Sequence, residues 1–595
     1  MRTFLKHLFK QSMGLLFSML LATLLFYLII VLVLATLGNN FRTEFPDSAV
    51  LVLDMGVEVP DAPLDTGSMG PLLREGSLFS RFPLRALICS IDKAAGDPRI
   101  KALLLRGDGP DMPDTGLSSI AEIRDALIRF KQSGKPIYAW LEDSGMRDYA
   151  LASVADHVWM HPLCTLGMEG FAAERLYFGD AFGRYGIGVQ TASAGGYKSA
   201  PDSFAREHMS AKDREQLEAF LADVWTSYAG EISSSRNIPE KVLKDISVGR
   251  GLLTAQEAVS AGFVDRVAYE DELVDELRGI AGDDDSDTGY SSIDMADYAI
   301  FPDSGDNVAQ SDRVIAIVYV EGEIVDGEGS WDQAGSDRIV DQLRDLGSDD
   351  SVKGVVLRVN SPGGSAVASE KIRREVEMTR KHCPVVVSMG RMAASGGYWI
   401  SAPADKIFVE PTTLTGSIGV FSLFFDVEKL AGHFGVNSDR VVTAPFADMY
   451  SSFSQRDPRE MELARKMVDG VYEEFLNVVA EGRGMDRAKV ADLAQGRVWS
   501  GTAALGNGLA DERGGLADAV TAAATLAGMG VDYKVEELPV QIGLRDQIRS
   551  LLRSGASVVQ PWPMAGVSRE LEHFARLPGT KGVLARMPYF TSARW

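Results

Sequence analysis

The sequence has few of the residues from which disulfide frameworks, metal centres and nucleic-acid surfaces are built. It has three scattered cysteines, too few for a disulfide framework or a zinc cluster, and we expect them to be small buried side chains. The seven histidines fall in no recurring motif, so none of them is a candidate general base, and no metal or cofactor is expected. The net charge of −23 leaves no basic face for phosphates, which excludes a nucleic-acid partner.

Charge is also absent near the N-terminus, where Gln11 to Asn40 contain no charged side chain. An apolar run of this length crosses a bilayer as a helix, so residues 12–38 are predicted to be a membrane anchor that contacts lipid. Lysine and arginine precede the run, which keeps residues 1–11 in the cytoplasm and exports the rest of the chain. A cleaved signal peptide is the alternative, although such peptides have a shorter apolar core.

The remainder of the chain contains one plan twice. Each copy opens with an apolar strand, followed by a second strand, a charged amphipathic helix and a third buried strand. Each copy then reaches a tyrosine, Tyr149 or Tyr398, that precedes an Ala-Asp pair. Short strands alternating with helices are typical of βα units on a mainly parallel sheet, so an α/β fold is expected. The repeats are predicted to span residues 46–280 and 313–535.

Two segments outside the repeats differ in composition. Residues 281–312 are acidic and contain Ser and Gly, as linkers do. Residues 541–595 carry eight Lys/Arg against three Asp/Glu and include a predicted basic amphipathic helix. That tail has three possible roles: binding anionic lipid, binding a neighbouring subunit, or packing on its own domain.

Ser395 is the candidate nucleophile. We expect the preceding strand to end near Met389 and a helix to begin at Ser395, with small neighbours leaving the hydroxyl accessible. Helix N–H groups would then lie close to a developing oxyanion. A serine before two glycines is also typical of a turn or N-cap. The first repeat has Met146 at the corresponding position, which cannot be a nucleophile, so the pattern indicates one active and one inactive copy.

A glycine-containing loop at Asn360–Ser365 follows another strand of the second repeat. Its paired glycines can expose backbone N–H groups because no side chain stands in the way. If the loop lies beside Ser395, Gly364 and Gly396 would donate to an oxyanion. An ordinary βα turn remains the alternative.

Lys198 is the candidate general base. It lies among small, uncharged residues, and burial in such surroundings can lower the pKa of a lysine toward neutrality. The corresponding stretch of the second repeat, Val441–Phe453, contains no lysine. The copy with the serine lacks the lysine, so a site would have to be assembled across the two copies.

Four motifs, Met392–Tyr398, Asn360–Gly364, Thr415–Gly419 and Gly196–Ala200, resemble those of the signal peptide peptidase A family of S49 serine peptidases, in its long tandem-repeat form. The resemblance implies tandem Clp/crotonase-like βα domains after one transmembrane helix. It also implies an inner-membrane homotetramer with its catalytic part in the periplasm.

The resemblance further implies a metal-independent serine endopeptidase that degrades remnant signal peptides. In that family Ser395 corresponds to the nucleophile and Lys198 to the general base, and Ser417 orients the lysine amine. Two other functions compete. A CoA-thioester enzyme uses a similar oxyanion hole, but CoA is cytoplasmic. A scaffold with decayed sites would have lost Ser395 or Lys198, and both are present.

Overall fold

The computed structural model describes residues 45–63, 81–107, 115–283, 288–300, 311–330, 332–538, 584–586 and 592–594. The predicted anchor at 12–38 and the predicted amphipathic helix of the tail lie outside these residues. Within them, no helix combines the length and apolar character that a bilayer crossing requires.

The first half of the chain contains the following elements in order: β1 (Ala49–Asp54), α1 (Leu84–Gly96), β2 (Ile100–Gly107), α2 (Leu117–Lys131), β3 (Ile137–Leu141), α3 (Met146–Ala152), β4 (His157–Met160), β5 (Thr165–Gly167), β6 (Ala172–Glu174), α4 (Gly179–Tyr185), β7 (Gly188–Ala194), α5 (Asp202–Ala205), α6 (Ala211–Arg236), α7 (Glu240–Gly249), β8 (Leu252–Thr254), α8 (Ala255–Ser260), β9 (Arg266–Val267), α9 (Glu270–Ala281), β10 (Ser292–Asp294) and α10 (Met295–Ile300).

The core of this half is a six-stranded sheet in the order β10-β1-β2-β3-β4-β9. Every neighbouring pair is parallel. All five residues of β3 are buried, because helices cover a parallel sheet on both faces. The predicted α/β fold with mainly parallel strands is therefore confirmed.

The second half and the tail contain these elements: β11 (Val314–Glu321), β12 (Glu323–Val325), β13 (Gln333–Gly335), α11 (Ser336–Ser348), β14 (Val352–Ser361), β15 (Gly363–Ser365), α12 (Ala366–Thr379), β16 (Val385–Ala394), α13 (Gly396–Ser401), β17 (Lys406–Val409), β18 (Leu414–Gly416), β19 (Val420–Asp426), α14 (Glu428–His433), α15 (Pro458–Arg483), α16 (Arg487–Leu493), β20 (Val498–Ser500), α17 (Gly501–Asn507), β21 (Glu512–Arg513), α18 (Leu516–Leu526), β22 (Lys534–Leu538), β23 (Leu584–Arg586) and β24 (Ser592–Arg594).

The second half repeats the parallel core, with the strand order β20-β18-β16-β14-β11-β22 and β17 beside β16. Strands β14 and β16 pair in parallel, with Val355 opposite Val385 and Ser361 opposite Ala393. The carboxyl ends of these two strands therefore lie together. The glycine loop follows one of them and Ser395 follows the other.

A third sheet joins the two halves, in the order β13-β12-β15-β23-β19-β7. Strand β7 comes from the first half, and it pairs antiparallel with β19 of the second half along seven residues. The tail contributes β23, which lies between β15 and β19. A separate two-stranded sheet pairs β24 of the tail with β6.

A buried cluster of charges also connects the halves. The guanidinium of Arg358, on β14, donates to Asp61 Oδ1 at 2.8 Å and to Glu122 Oε1 at 2.6 Å. Both carboxylates belong to the first half, and all three side chains are almost fully buried. Ser388 Oγ accepts a further hydrogen bond from Arg358 at 2.7 Å. The two halves are thus tied together by ion pairs that water does not screen.

Two sequence-based expectations need correction, and one of the three possible roles of the tail is observed for two short segments of it. Part of the predicted linker at 281–312 folds onto the first half, because β10 pairs with β1 and buries Ile293. The tail contributes β23 and β24 to two sheets of the chain, so these two segments pack on its own domains. Of the cysteines, only Cys383 is buried, whereas Cys89 is exposed on α1 and Cys164 is partly exposed.

Candidate active site

Ser395 lies at the sharp junction between β16 and α13. Strand β16 continues to Ala394, five residues beyond the predicted end, and α13 begins at Gly396. The φ angle of Ser395 is 57°, a left-handed conformation that non-glycine residues rarely adopt. Its N–H donates to the carbonyl of Gly416 at 2.8 Å, which holds the turn in place. The side chain is buried, contrary to the expected accessible hydroxyl.

The pairing of β7 with β19 brings the predicted lysine to this serine. In that register Ala194 lies opposite Val420. Because the strands are antiparallel, the residues after Ala194 run toward the residues before Val420. Lys198 and Ser417 occupy those two positions. The contact between the halves therefore brings the side chains of Lys198 and Ser395 together.

The amine of Lys198 is surrounded by serine oxygens. Its Nζ lies 2.7 Å from Ser395 Oγ, 3.0 Å from Ser417 Oγ and 3.0 Å from the carbonyl oxygen of Ser417. Ser417 also has a left-handed backbone, with a φ angle of 50°, and its N–H donates to the carbonyl of Arg497 at 2.7 Å. The structure thus brings together Ser395, Lys198 and Ser417.

Burial lowers the pKa of Lys198 well below its ordinary value of 10.5. Burial is the cause of the shift, and no ion pair with a carboxylate opposes it. A neutral amine has two N–H groups and one lone pair. The carbonyl of Ser417 can only accept, so it takes one N–H, and the hydroxyl of Ser417 can accept the other. The lone pair then remains for the hydroxyl proton of Ser395.

The loop that carries Lys198 is supported by residues that sequence reasoning missed. Gln495 accepts a hydrogen bond from the N–H of Tyr197 at 2.8 Å, and its own φ angle is 54°. Gly496 packs so closely that a Cβ there would lie 2.6 Å from Lys198. A glycine is therefore required beside the lysine. The only signal in the sequence was the unremarkable pair Gln495-Gly496 before a short strand.

A buried polar cluster fixes the residue after the lysine. Ser199 donates to Asp213 Oδ1 at 2.7 Å, and Arg175 pairs with Asp213 Oδ2 at 2.6 Å. The side-chain amide of Gln216 donates to the carbonyl of Tyr197 at 3.2 Å. These contacts fix the loop that carries Lys198 to α6, so the position of the lysine relative to the first half is well defined.

The glycine loop lies beside the serine. The carbonyl of Ser361 is close enough to Gly397 that a Cβ on this glycine would meet it at 2.9 Å. Gly364 pairs with Ile324 on β12 and with Ala585 on β23. Gly396 is the first residue of α13, and the N–H groups of a first helical turn have no intrahelical acceptor. The two predicted oxyanion donors therefore stand at the two segments that meet around Ser395.

The position of the first half that corresponds to Ser395 is occupied by a buried methionine side chain. Met146 begins α3, as Ser395 precedes α13, and its sulfur accepts the N–H of Gly170 at 3.2 Å. Met146 is buried in the core of the first half. The nucleophile candidate is thus confined to the second half.

No group of three or more potential metal ligands occurs in the described part of the chain.

The sequence of the chain is similar to those of known proteins. The Peptidase family S49 model matches residues 129–282 and 377–530, and the Clp protease model matches residues 307–413. Protease 4 of Haemophilus influenzae is 34% identical over 521 residues, which cover 83% of each chain. Protease 4 of Salmonella typhi is 33% identical over 581 residues, 92% of this chain and 91% of the relative. The chloroplastic serine protease SPPA of Arabidopsis thaliana is 29% identical over 501 residues, 83% of this chain and 72% of the relative.

Proposed function

The chain belongs to peptidase family S49 and is a serine protease, and from that premise we propose that Ser395 and Lys198 form its catalytic dyad. Ser395 is the nucleophile, Lys198 the general base and Ser417 the residue that orients the lysine amine. The substrate is a peptide, and no metal or cofactor takes part. The family membership establishes the class of reaction, and the dyad is our assignment of roles within it.

The observation that carries the proposal is the 2.7 Å separation of Lys198 Nζ and Ser395 Oγ. These residues come from different halves, yet their polar atoms meet at hydrogen-bond distance inside a buried site. Serine is a weak nucleophile unless a base removes its proton, and a lysine can be that base when it is neutral. The burial that lowers the pKa of Lys198 supports the neutral form.

The reaction follows from these roles. Lys198 takes the hydroxyl proton of Ser395 while Oγ attacks the peptide carbonyl, and the carbonyl oxygen becomes an oxyanion. The N–H groups of Gly364 and Gly396 stabilise it. Lys198 then gives its proton to the leaving amine, and the C–N bond breaks to leave an acyl-enzyme. A water molecule, deprotonated by the same amine, attacks the ester and frees Ser395.

The setting we propose for this activity is a membrane. Residues 12–38 would anchor the chain in the inner membrane with the catalytic part in the periplasm. An enzyme held there meets apolar peptides that export leaves behind, so remnant signal peptides are the proposed substrates. The likeness to the long form of the family supports a homotetramer, in which each of the four chains contains the two repeats at 46–280 and 313–535.

Covalent trapping tests the dyad. The full chain in mild detergent is treated with a serine-reactive peptidyl phosphonate, and the modified residue is mapped by mass spectrometry. We expect labelling at Ser395 in the wild type and none in Ser395→Ala. Labelling should also be lost in Lys198→Ala, although that variant keeps the serine. Modification of a different serine in the wild type would show that the nucleophile is assigned wrongly.

A matched control comes from the inactive copy. Met146→Ser places a hydroxyl at the position that corresponds to Ser395, but Ala447 stands where a lysine would be needed. We therefore expect no labelling at position 146. If that serine reacts at a rate near that of Ser395, a base from the other half is not required for activation.

A further inference from the structure

The pairing of β14 with β16 is irregular just before the candidate site. Val359 lies opposite Met389. Two residues later, Ser361 lies opposite Ala393, which is four residues further along β16. Strand β16 therefore carries extra residues at this point, as in a β-bulge, and a bulge redirects the chain that follows it. The equivalent strands of the first half, β2 and β3, keep one register along their five paired residues, so the irregularity belongs to the half that contains Ser395.

The side chain of Asn360 replaces the backbone partner that the bulge removes. Its Oδ1 accepts the N–H of Met392, on β16, at 3.2 Å, and its Nδ2 donates to Glu321 Oε1, at the end of β11, at 2.9 Å. A backbone N–H can only donate, so the amide oxygen must face Met392 and the amide nitrogen must face Glu321. One amide therefore connects three neighbouring strands, β11, β14 and β16, near their carboxyl ends.

The backbone around Asn360 is fixed as well. Its carbonyl accepts the N–H of Gly322 at 3.0 Å. The hydroxyl of Ser361 donates to the carbonyl of Gly322 at 2.6 Å and accepts the N–H of Gly363 at 3.2 Å. The glycine loop is thus bound to the turn that follows β11, and the side chain of Asn360 extends this frame to β16.

The two proposed oxyanion donors stand at equal spacings along the chain from this amide. Gly364 is four residues after Asn360, and Gly396 is four residues after Met392. Because each donor follows so closely, the separation of β14 and β16 at Asn360 determines the separation of the two donors. Stabilisation of an oxyanion depends on donors that are already in position when the charge develops.

The inactive copy lacks this pair of side chains. In both halves the first two strands of the sheet pair with the same irregular start, which aligns the copies residue by residue. This alignment places Gly56 at the position of Glu321 and Asp108 at the position of Asn360. The half without a nucleophile thus lacks both the amide and the carboxyl that would hold it, as expected if the pair serves the reaction.

We propose that Asn360 is a positioning residue for the reaction. Its amide sets the distance between the N–H groups of Gly364 and Gly396, and Glu321 holds the amide in place. The inference rests on the proposed function, whose oxyanion donors it concerns. Asn360 acts on the oxyanion and not on proton transfer, so its loss should lower the rate without moving the pH at which Lys198 becomes neutral.

Phosphonate labelling of Ser395 across a range of pH measures this role, since the phosphonyl oxygen takes the place of the oxyanion. The full chain is used in mild detergent. Asn360→Leu keeps the approximate size of the side chain and removes both hydrogen bonds. We expect its labelling rate to fall about hundredfold, the effect of a misplacement on the order of 1 Å, with the inflection at the wild-type pH.

Asn477→Leu is the matched control for that substitution. Asn477 is half-buried, as Asn360 is, and its amide oxygen accepts a hydrogen bond from Arg487 at 3.0 Å. It lies on α15 and contacts neither the glycine loop nor β16 through that bond. The control should label at the wild-type rate.

Exchanging the two groups tests the contact itself. In Asn360→Asp a carboxyl group faces the carboxyl of Glu321, so a hydrogen bond between them requires a proton. Desolvation and the nearby Asp61 raise the pKa of Glu321 above its ordinary value of 4.5, while Arg358 and Arg391 oppose the shift. The proton is available at low pH and is lost as pH rises. The labelling rate of the variant, relative to the wild type, should therefore fall with increasing pH.

Adding Glu321→Gln to Asn360→Asp restores an amide donor at the opposite position. The combined variant should label near the wild-type rate at every pH. Glu321→Gln alone should do the same, because the glutamine oxygen accepts the same N–H. These variants decide the proposal even if Asn360→Leu does not fold.

Each outcome bears on one part of the proposal. Wild-type labelling of a folded Asn360→Leu would overturn the positioning role, and a displaced inflection would show that the substitution acts through Lys198 instead. A combined variant as slow as Asn360→Asp would overturn the contact with Glu321. Failure of the dyad looks different, because Ser395 would then be unlabelled in the wild type or labelled equally in Lys198→Ala.

Discussion

At the scale of single residues, the site depends on two serines held in an unfavourable conformation. Ser395 and Ser417 both have positive φ angles, which cost on the order of 1–3 kcal/mol each for a non-glycine residue. The conformation persists because the N–H of Ser395 is bound by Gly416 and that of Ser417 by Arg497. The strain points both hydroxyls at one amine, which an ordinary turn would not do.

Ser417→Ala tests the orienting role. The variant loses the hydroxyl that lies 3.0 Å from Lys198 Nζ but keeps the carbonyl contact. We expect kcat on a peptide ester to fall by about tenfold, the effect of one hydrogen bond worth about 1.4 kcal/mol, with little change in KM. Ser417→Gly removes the hydroxyl without the backbone strain. If the glycine variant keeps wild-type kcat, the hydroxyl has no such role.

Lys198→Met tests the neutral amine through stability. The folded chain has a lowered pKa for Lys198, so between that pKa and 10.5 the unfolded chain binds a proton that the folded chain does not. The free energy of unfolding of the wild type therefore rises with pH across this window, by about 1.4 kcal/mol per pH unit. Methionine does not titrate, so the stability of the variant lacks this dependence on pH. The excess of its free energy of unfolding over that of the wild type should be largest near neutral pH and shrink toward pH 10.5.

Denaturant titrations at several pH values measure that slope. Methionine also loses the contacts with Ser417, and this loss lowers stability by an amount that does not vary with pH. The dependence of stability on pH therefore decides whether Lys198 is neutral in the folded chain. Parallel pH profiles for the two proteins would mean that Lys198 is charged in the folded chain.

At the scale of elements, β14 carries the charge that ties the halves together. Arg358→Met leaves Asp61 and Glu122 buried without their cation. We expect a loss of about 3–5 kcal/mol in the free energy of unfolding, because an uncompensated buried charge is left behind. Activity should fall as well, since Lys198 and Ser395 belong to the halves that the cluster joins.

The exposed Arg344 provides the control for this change. Arg344→Met breaks ion pairs with Asp341 and with Glu375, and because the arginine is solvated it should alter stability by no more than about 1 kcal/mol. Equal effects of the two substitutions would mean that the buried cluster does not hold the halves together.

The tail strand β23 lies beside the site, paired with β15 and with Phe421 of β19. A substrate that binds as a strand along Gly364 has to displace it. Deleting residues 584–595 is therefore expected to raise kcat/KM for a peptide substrate by about tenfold, equivalent to a competing contact of about 1.4 kcal/mol. Deleting residues 592–595 alone removes β24 and should leave kcat/KM unchanged. A longer deletion without effect would show that β23 does not compete with substrate.

At the scale of the whole molecule, the division of the site between two repeats was predictable. Comparing the copies singles out Ser395 against Met146, and the lysine-free stretch at Val441–Phe453 singles out Lys198. The structure places those two side chains together. The α/β class was also predictable, because buried parallel strands appear in a sequence as continuous apolar runs.

The remaining features depend on contacts distant in the sequence. The end of β16 was placed five residues too early, because Met392–Ala394 pair with β18 and no local signal marks that partner. The support of Lys198 by Gln495 and Gly496 crosses between the halves, and a Gln-Gly pair looks like any turn. The acidic stretch around Ile293 reads as a linker, although three of its residues complete the first sheet.

The central claim is that Lys198 of one half activates Ser395 of the other. The most direct measurement is the second-order rate of phosphonate labelling at Ser395 as a function of pH, in the wild type and in Lys198→Ala. The wild-type rate should rise to a plateau through a single inflection. That inflection reports the pKa of the buried amine and should lie below 10.5, the ordinary value for lysine. The variant should react far more slowly, with no plateau. An inflection that survives in Lys198→Ala, or one near 6.5 as for a histidine, would contradict the account.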